Sequence, residues 1–193
     1  IIQLAAYLER SNKSIQIEIL DCNAEKVDWK IMEARISASK PDVVACASLA
    51  TCNTYPVVRT LEIAKKVNPN IITLTGGQHF TATAQDSLQL YPVIDVIIRN
   101  EGEETLVELV KSVQNGLGFQ GIHGISYRHG KEIIHNPPRP LIENLEDLPF
   151  PGYHLVKDLM PKYHFSIMAG KDAPYALIEG ARGCNHQCTF CTQ

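Results

Sequence analysis

No stretch of this chain comes near the ~20 consecutive apolar residues that cross a bilayer. Its first residues also lack the basic start and small-residue cleavage site of a signal peptide. Runs of lysine and arginine are missing too. With 18 basic and 21 acidic residues the net charge is -3, which leaves no electrostatic footprint for nucleic acid and gives no reason to expect a bulk anionic partner. A membrane site is equally unexpected, and the chain reads as cytoplasmic. What remains is ordinary globular composition: 193 residues, 45% hydrophobic and 20% charged, enough for one sizeable core and part of a second.

Six cysteines are present, but their distribution argues against a disulfide framework. Cys184, Cys188 and Cys191 crowd into eight residues, while Cys22, Cys46 and Cys52 are scattered through hydrophobic segments. Metal binding in a reducing compartment accounts for that pattern better than three bridges do. The sequon Asn12-Lys13-Ser14 then has no meaning, since glycosylation belongs to the secretory route.

Periodicity divides most of the chain into alternating elements. Ile1, Leu4, Ala5 and Leu8 have helical spacing, and IQIEIL alternates Ile15, Ile17 and Ile19 as a strand would. A helix is expected from Trp29 to Ser39, stopped by Lys40-Pro41 because proline disfavours the helical region for the residue before it. Strands follow at Val43 to Ala47, Ile71 to Thr75 and Val93 to Ile98. Between and after them come helices at Val57 to Val67, about Ala82 to Leu90, and Glu103 to Val113, each with a single apolar stripe. This βαβα order predicts an open, doubly wound parallel α/β sheet of Rossmann-like form, covered on both faces with right-handed crossovers.

Ligands of such sheets bind at the carboxyl ends of the strands. That rule selects Asp21-Cys22-Asn23, Ser48 to Thr51, Gly76-Gly77-Gln78-His79 and Asn100-Glu101-Gly102-Glu103, with glycines that would let a backbone approach a bulky ligand closely. Gly116, Gly118 and Gly121 match G-x-G-x-x-G letter for letter, yet they follow a helix and precede the strand-like GISYRHGKEII, the reverse of a dinucleotide fingerprint. Asn115-Gly116 instead reads as a helix stop, and His129-Gly130 as the turn of a hairpin between Ile125-Arg128 and Lys131-Ile134. From Asn136 a proline-rich stretch reads as a semi-rigid linker laying Leu145, Leu148 and Phe150 on its neighbours. A strand from Tyr175 to Glu179 then delivers the cysteine loop.

The loop GARGCNHQCTFCTQ is the most specific signal. A C-x3-C-x2-C array can ligate three irons of one 4Fe-4S cube and leave the fourth open to a substrate or cofactor. The alternative is a zinc knot closed by His154 or His164, with His186 badly placed inside the loop.

The array resembles that of the radical S-adenosylmethionine family. The full order of pieces (LAAYLE, KPDVVACAS, LTGGQHFTATAQ, IDVIIRNEGEETL, GISYRHGKEIIHNPPRPLIENLEDLPFP, then the cysteine loop) resembles its cobalamin-binding branch. The resemblance implies a 4Fe-4S cluster on Cys184, Cys188 and Cys191, S-adenosylmethionine on the open iron, and Phe190 against its adenine. It also implies cobalamin held between the sheet edge and a partial TIM barrel, with contacts from Ser48, Thr51, Gly76, Gly77, Gln78, Glu101 and Gly102. The implied domains are 1–135, a cobalamin-binding-like α/β domain whose leading strand lies before Ile1; 136–174, the linker; and 175–193, the start of the barrel. Ile15–Leu20 and Val43–Ala47 should then flank the leading strand's position without pairing directly.

Two features depart from that branch. The Asp-x-His-x-x-Gly string of related cobalamin domains is absent, and the Ser-x-Leu string that meets the cobalamin tail falls on Ala47-Ser48-Leu49, with Ser48 as substitute for the missing serine. A second cluster on Cys22, Cys46 and Cys52, or a metal on His79, is conceivable from residue type, but buried apolar cysteines and a hydrogen-bonded histidine are the plainer readings. The implied activity is methyl transfer or cyclisation on a small metabolite or cofactor precursor, with an electron donor such as flavodoxin or ferredoxin. The rivals are a radical enzyme whose sheet domain binds no cobalamin, and a non-catalytic cobalamin module.

Overall fold

Apolar stripes and short β-branched runs produce six helices and five strands among the described residues of the computed structural model, namely 1–163, 179–184, 186, 188 and 189. The order is α1 (Ile2–Ser11), α2 (Trp29–Ser39), β1 (Val43–Ala47), α3 (Thr54–Val67), β2 (Ile72–Gly76), α4 (Gln78–Ala82), α5 (Ala84–Leu90), β3 (Val96–Ile98), α6 (Glu103–Gln114), β4 (Ile125–His129) and β5 (Glu132–His135). The sheet runs β1-β2-β3-β4-β5. Its first three strands are parallel, as the alternation predicts. The hairpin extends the sheet antiparallel, with Ile98 opposite Ile125 and Tyr127 opposite Ile134. No helix among the described residues is long and apolar enough to cross a membrane.

Helices cover both faces. Leu74, Val96, Ile98, Ile125 and Tyr127 pack against α1 and α6 through Leu8, Leu106, Leu109 and Val110. On the other face Ile97 meets Val57 and Leu61 of α3, Phe80 of α4 and Leu88 of α5. Met32 and Ile36 of α2 meet Ile63, Ala64 and Ile71 in a third cluster at the side. Lys40 stops α2 in the left-handed region, φ 48°, with its N–H donated to Ile36 O.

Three expectations are corrected. Ile15–Leu20 is not a strand and shares no ladder with β1 among the described residues. Its alternation is real, because Ile15, Ile17 and Ile19 are half-buried between exposed Gln16 and Glu18. Second, β3 begins at Val96, not Val93: Thr73 Oγ1 lies 2.6 Å from Val93 O, and Asp95 Oδ2 accepts from Thr73 N at 2.9 Å and Lys65 Nζ at 2.6 Å. Side-chain bonds thus supplement the backbone there, where Asp95 N still donates to Thr73 O at 3.1 Å. Third, the helix expected from about Ala82 starts at Gln78 and breaks at Thr83, whose hydroxyl bonds His79 O and Ser87 Oγ in competition with the helical ladder.

The proline-rich stretch is strapped to the sheet unit rather than free. Arg99 donates to Ile125 O and Asn136 O, and the buried Asn136 amide donates to Phe119 O and Ile122 O at 2.8 and 2.9 Å. Arg139 reaches Glu104 and Glu108 on α6. Farther on, Gly152 N donates to Ile2 O and Tyr163 Oη to Asp21 Oδ2. Leu145 and Leu148 are half-buried as expected, but Phe150 is 91% exposed. The residues 175–178 of the expected strand lie outside the described ones.

Two strand ends are joined by a close backbone approach. Gly77 has φ +91°, and a Cβ there would lie 2.3 Å from Ser48 O. Ser48 N in turn donates to Gly76 O at 3.0 Å. A left-handed φ and the lack of room both require glycine. Gly118, in the glycine string after α6, has no heavy atom within 4 Å of a built Cβ. Gly77→Ala is therefore expected to lose about 2 kcal/mol or more of stability, while Gly118→Ala stays within about 0.5 kcal/mol, as read from urea midpoints.

A second expectation concerns pH. On the α3 face of β1, burial pushes the Cys46 thiol up to about 12, with the neighbouring Cys22 adding to the shift and Thr60 opposing it. The unfolded chain releases this proton from about pH 9 upward while the folded one keeps it, so stability falls between those two values. Cys46→Ser should flatten that decline in thermal melts taken across the alkaline range.

Candidate functional site

The carboxyl ends of β1, β2 and β3 lie side by side, and the loops leaving them form the candidate site. In the first loop Ser48 is wholly buried and its hydroxyl donates to Ala50 O at 2.7 Å. Ser48 therefore shapes the loop, while Leu49, at 75% exposure, and Thr51 stand at its surface. In the second loop Gln78 is exposed, and His79 Nδ1 lies 3.2 Å from Thr51 Oγ1, with the imidazole edge-on to Phe80 at 5.0 Å. His79 thus links two loops through a hydrogen bond, in line with its structural reading. A Cβ on Gly76 would meet Ile98 O at 3.0 Å, so that glycine admits the neighbouring strand.

The third loop turns at Asn100, φ 60°, whose N–H donates to Thr81 Oγ1. Gly102 is buried, and a Cβ there would lie 3.2 Å from Leu4 of α1. Glu103, only 4% exposed, begins α6, where the helix dipole favours a carboxylate. Glu101 Oε2 accepts from Ile142 N at 2.6 Å, which fastens the proline-rich strap to this edge.

Sequence reasoning missed Arg182. Its Nη1 lies 3.2 Å from Glu101, its Nη2 2.6 Å from Glu103 and its Nε 2.9 Å from Glu179. Burial works against the guanidinium charge, and the Glu103, Glu179 and Glu101 carboxylates outweigh it, holding the pKa above the ordinary arginine value. The signal was there in letters, an arginine two residues before the first loop cysteine. No periodicity connects it to acids some 80 positions away.

Cys184 and Cys188 are exposed free thiols. Cys191 and Phe190 lie outside the described residues, as does His164, one of the two histidines considered for a zinc site; the other, His154, faces Glu9 at 2.8 Å. Among the described residues no group of three His, Cys, Asp or Glu is placed to hold a metal ion, so Cys22, Cys46 and Cys52 do not form a second cluster site there.

The donor set suits the two groups implied by the motifs. A corrin ring is a broad macrocycle fringed with neutral amides, and the edge offers exposed Leu49, Thr51 and Gln78, with Glu101 and Glu103 turned to Arg182. Soft thiolates suit iron–sulfur ligation.

Comparison with known proteins agrees with this arrangement. Residues 1–110 match the model of the B12 binding domain. An uncharacterized methyltransferase of Pyrococcus horikoshii is 33% identical over 91% of this chain and 37% of its own length. An anaerobic magnesium-protoporphyrin IX monomethyl ester cyclase of Rubrivivax gelatinosus is 33% identical over 98% of this chain and 34% of its own. The chain thus spans about a third of the length of these curated relatives. Among solved structures, the cobalamin-dependent S-adenosylmethionine radical enzyme OxsB, with aqua-cobalamin and S-adenosylmethionine bound, superposes with a TM-score of 0.66 at 19% identity, over 82% of this chain and 22% of that one, and shares the fold. With more than half of its residues matched, this chain belongs to the B12 binding domain family, as its resemblance to cobalamin-binding radical S-adenosylmethionine proteins implied.

Proposed function

We propose that this chain is the part of a cobalamin-dependent radical S-adenosylmethionine enzyme that holds cobalamin on the carboxyl edge of its sheet and a 4Fe-4S cluster on Cys184, Cys188 and Cys191. The full protein would act in methyl transfer or cyclisation on a small metabolite or cofactor precursor. One observation carries the reading: the segment entering the cysteine loop is fastened by Arg182 to Glu101 and Glu103, on the same edge where ligands of parallel sheets bind. Two cofactors that must act on one substrate would thereby be kept near each other. The methyltransferase and cyclase names of the relatives support the enzyme class.

The residues divide by role. Thr51 and Gln78 present a hydroxyl and an amide to the corrin fringe, Ser48, Gly76, Gly77 and Gly102 shape the loops, and Glu101 holds the strap and the cysteine segment. By its place in the motif, Phe190 would serve the adenine of S-adenosylmethionine. A cluster bound by these cysteines would supply the electron for reductive cleavage of that sulfonium, and a donor such as flavodoxin or ferredoxin would reduce the cluster. The segments 1–135, 136–174 and 175–193 serve as cobalamin domain, strap and start of the barrel.

Anaerobic reconstitution of the full-length protein tests this. The parent is expected to take up stoichiometric cobalamin and roughly four irons per chain, with a reduced spin resonance signal that S-adenosylmethionine alters. The triple Cys184/188/191→Ala variant should lose the iron and keep the cobalamin. Thr51→Ala and Gln78→Ala should each weaken cobalamin by about fivefold, the effect of one neutral hydrogen bond. A parent that holds zinc and no iron establishes the zinc knot instead, and one with iron but no cobalamin restricts the chain to a radical enzyme without the corrinoid.

A further inference from the structure

The three nitrogen positions of one guanidinium are all engaged at the boundary between the sheet and the cysteine loop. Glu101 belongs to the β3–α6 loop, Glu103 to the first turn of α6, and Glu179 to the segment that carries Arg182 itself. Their exposures differ in a telling way. The side chains of Arg182, Glu101 and Glu103 are 19%, 18% and 4% exposed, whereas Glu179 is 65% exposed. Screening by water leaves the Glu179 pair little weight, so the two contacts to the sheet edge dominate.

Glu101 is shared. One oxygen takes Arg182 and the other takes the Ile142 N–H of the strap. The strap and the cysteine segment, about 40 residues apart in sequence, therefore converge on a single carboxylate. Lysine could not reproduce this, since an ammonium is a point charge and the site uses a fixed planar fork against separate acids. Glu103, buried at the start of α6, would be left without this counter-charge if Arg182 were neutral, and an unpaired buried charge is costly.

We infer that Arg182 is a positioning residue that sets the cysteine loop against the carboxyl edge of the sheet, with Glu101 and Glu103 as its anchors. It touches neither cofactor in this role and acts through the loop that follows it. The inference rests on the reading of two cofactors given above for its consequence, but its anchoring part stands on geometry alone.

The experiment uses the full-length protein reconstituted with iron, sulfide and hydroxocobalamin, as parent, Arg182→Gln, Arg182→Lys and Glu101→Gln. Hydrogen exchange over residues 100–106 and 179–184 reports the anchoring. Arg182→Gln is expected to raise it about tenfold or more in both segments, since charge-assisted hydrogen bonds are lost, while the β4–β5 hairpin stays unchanged. Lysine should recover only a small part of the protection. Pulsed dipolar spectroscopy between the reduced cluster and Co(II) cobalamin reports the positioning: one narrow distance in the parent, a broadened or shifted distribution in Arg182→Gln at unchanged iron and cobalamin content. A merely structural arginine would lower content or stability and leave that distance intact.

Parental exchange and an unaltered distance in Arg182→Gln would overturn the inference. Should that variant not fold, Glu101→Gln serves, and parental exchange at 179–184 in it would overturn the inference equally. A parent lacking one cofactor defeats the proposed function, and the exchange arm still decides on Arg182 because it needs neither group.

Discussion

The close approach of Gly77 to the backbone of Ser48 is the constraint on which this edge of the molecule depends. Parallel strands place their carboxyl ends together, but they do not dictate how the loops leaving them meet. Here Ser48 N bonds Gly76 O, and the space where a Cβ would stand on Gly77 is filled by Ser48 O at 2.3 Å. Two loops become one surface. The third loop joins through Asn100 and Thr81, and Thr51 with His79 closes the outer side. A glycine pair read in letters alone would suggest room for a ligand; in this molecule the room at Gly77 is already taken by its own chain.

That distinction explains what was legible in the residues and what was not. Helices and the parallel strands were readable because burial of an apolar stripe is a local demand with a fixed period, as in Leu106, Leu109 and Val110 of α6. The hairpin was expected with its turn at His129-Gly130, and the turn falls one residue on, at Gly130-Lys131, with His129 paired to Glu132 and Gly130 in the left-handed region at φ +61°. Ile15–Leu20 misled because alternation reports that one face is covered and says nothing about whether a neighbouring backbone is within bonding reach. Val93 and Thr83 misled for a related reason: Asp95, Thr73 and Thr83 compete with the backbone through side chains, and such competition has no period.

The candidate site was legible as a place more than as a set of contacts. Loop position at the carboxyl edge follows from topology, so Thr51, Gln78 and Glu101 share one edge of the sheet. The state of each atom does not follow. Ser48 looked like a hydroxyl free for a ligand, and it is buried on Ala50 O. Glu101 looked like a ligand contact, and both of its oxygens are occupied by the chain. Arg182 was invisible because an ion pair between residues 79 and 81 positions apart leaves no trace in local pattern.

Charge placement at this edge also bears on how two redox groups would be accommodated. Carboxylates beside an iron–sulfur cluster make reduction harder, because adding an electron near existing negative charge is unfavourable. Glu101 and Glu103 would exert such a field if unpaired. The Arg182 guanidinium, with burial opposing its charge and three carboxylates restoring it, stays protonated and offsets them across distances of 2.6 to 3.2 Å. The same pairing that joins the cysteine segment to the sheet therefore limits the negative field at the junction. Mechanical attachment and electrostatic quieting are two results of one arginine, and a neutral side chain in its place would weaken both.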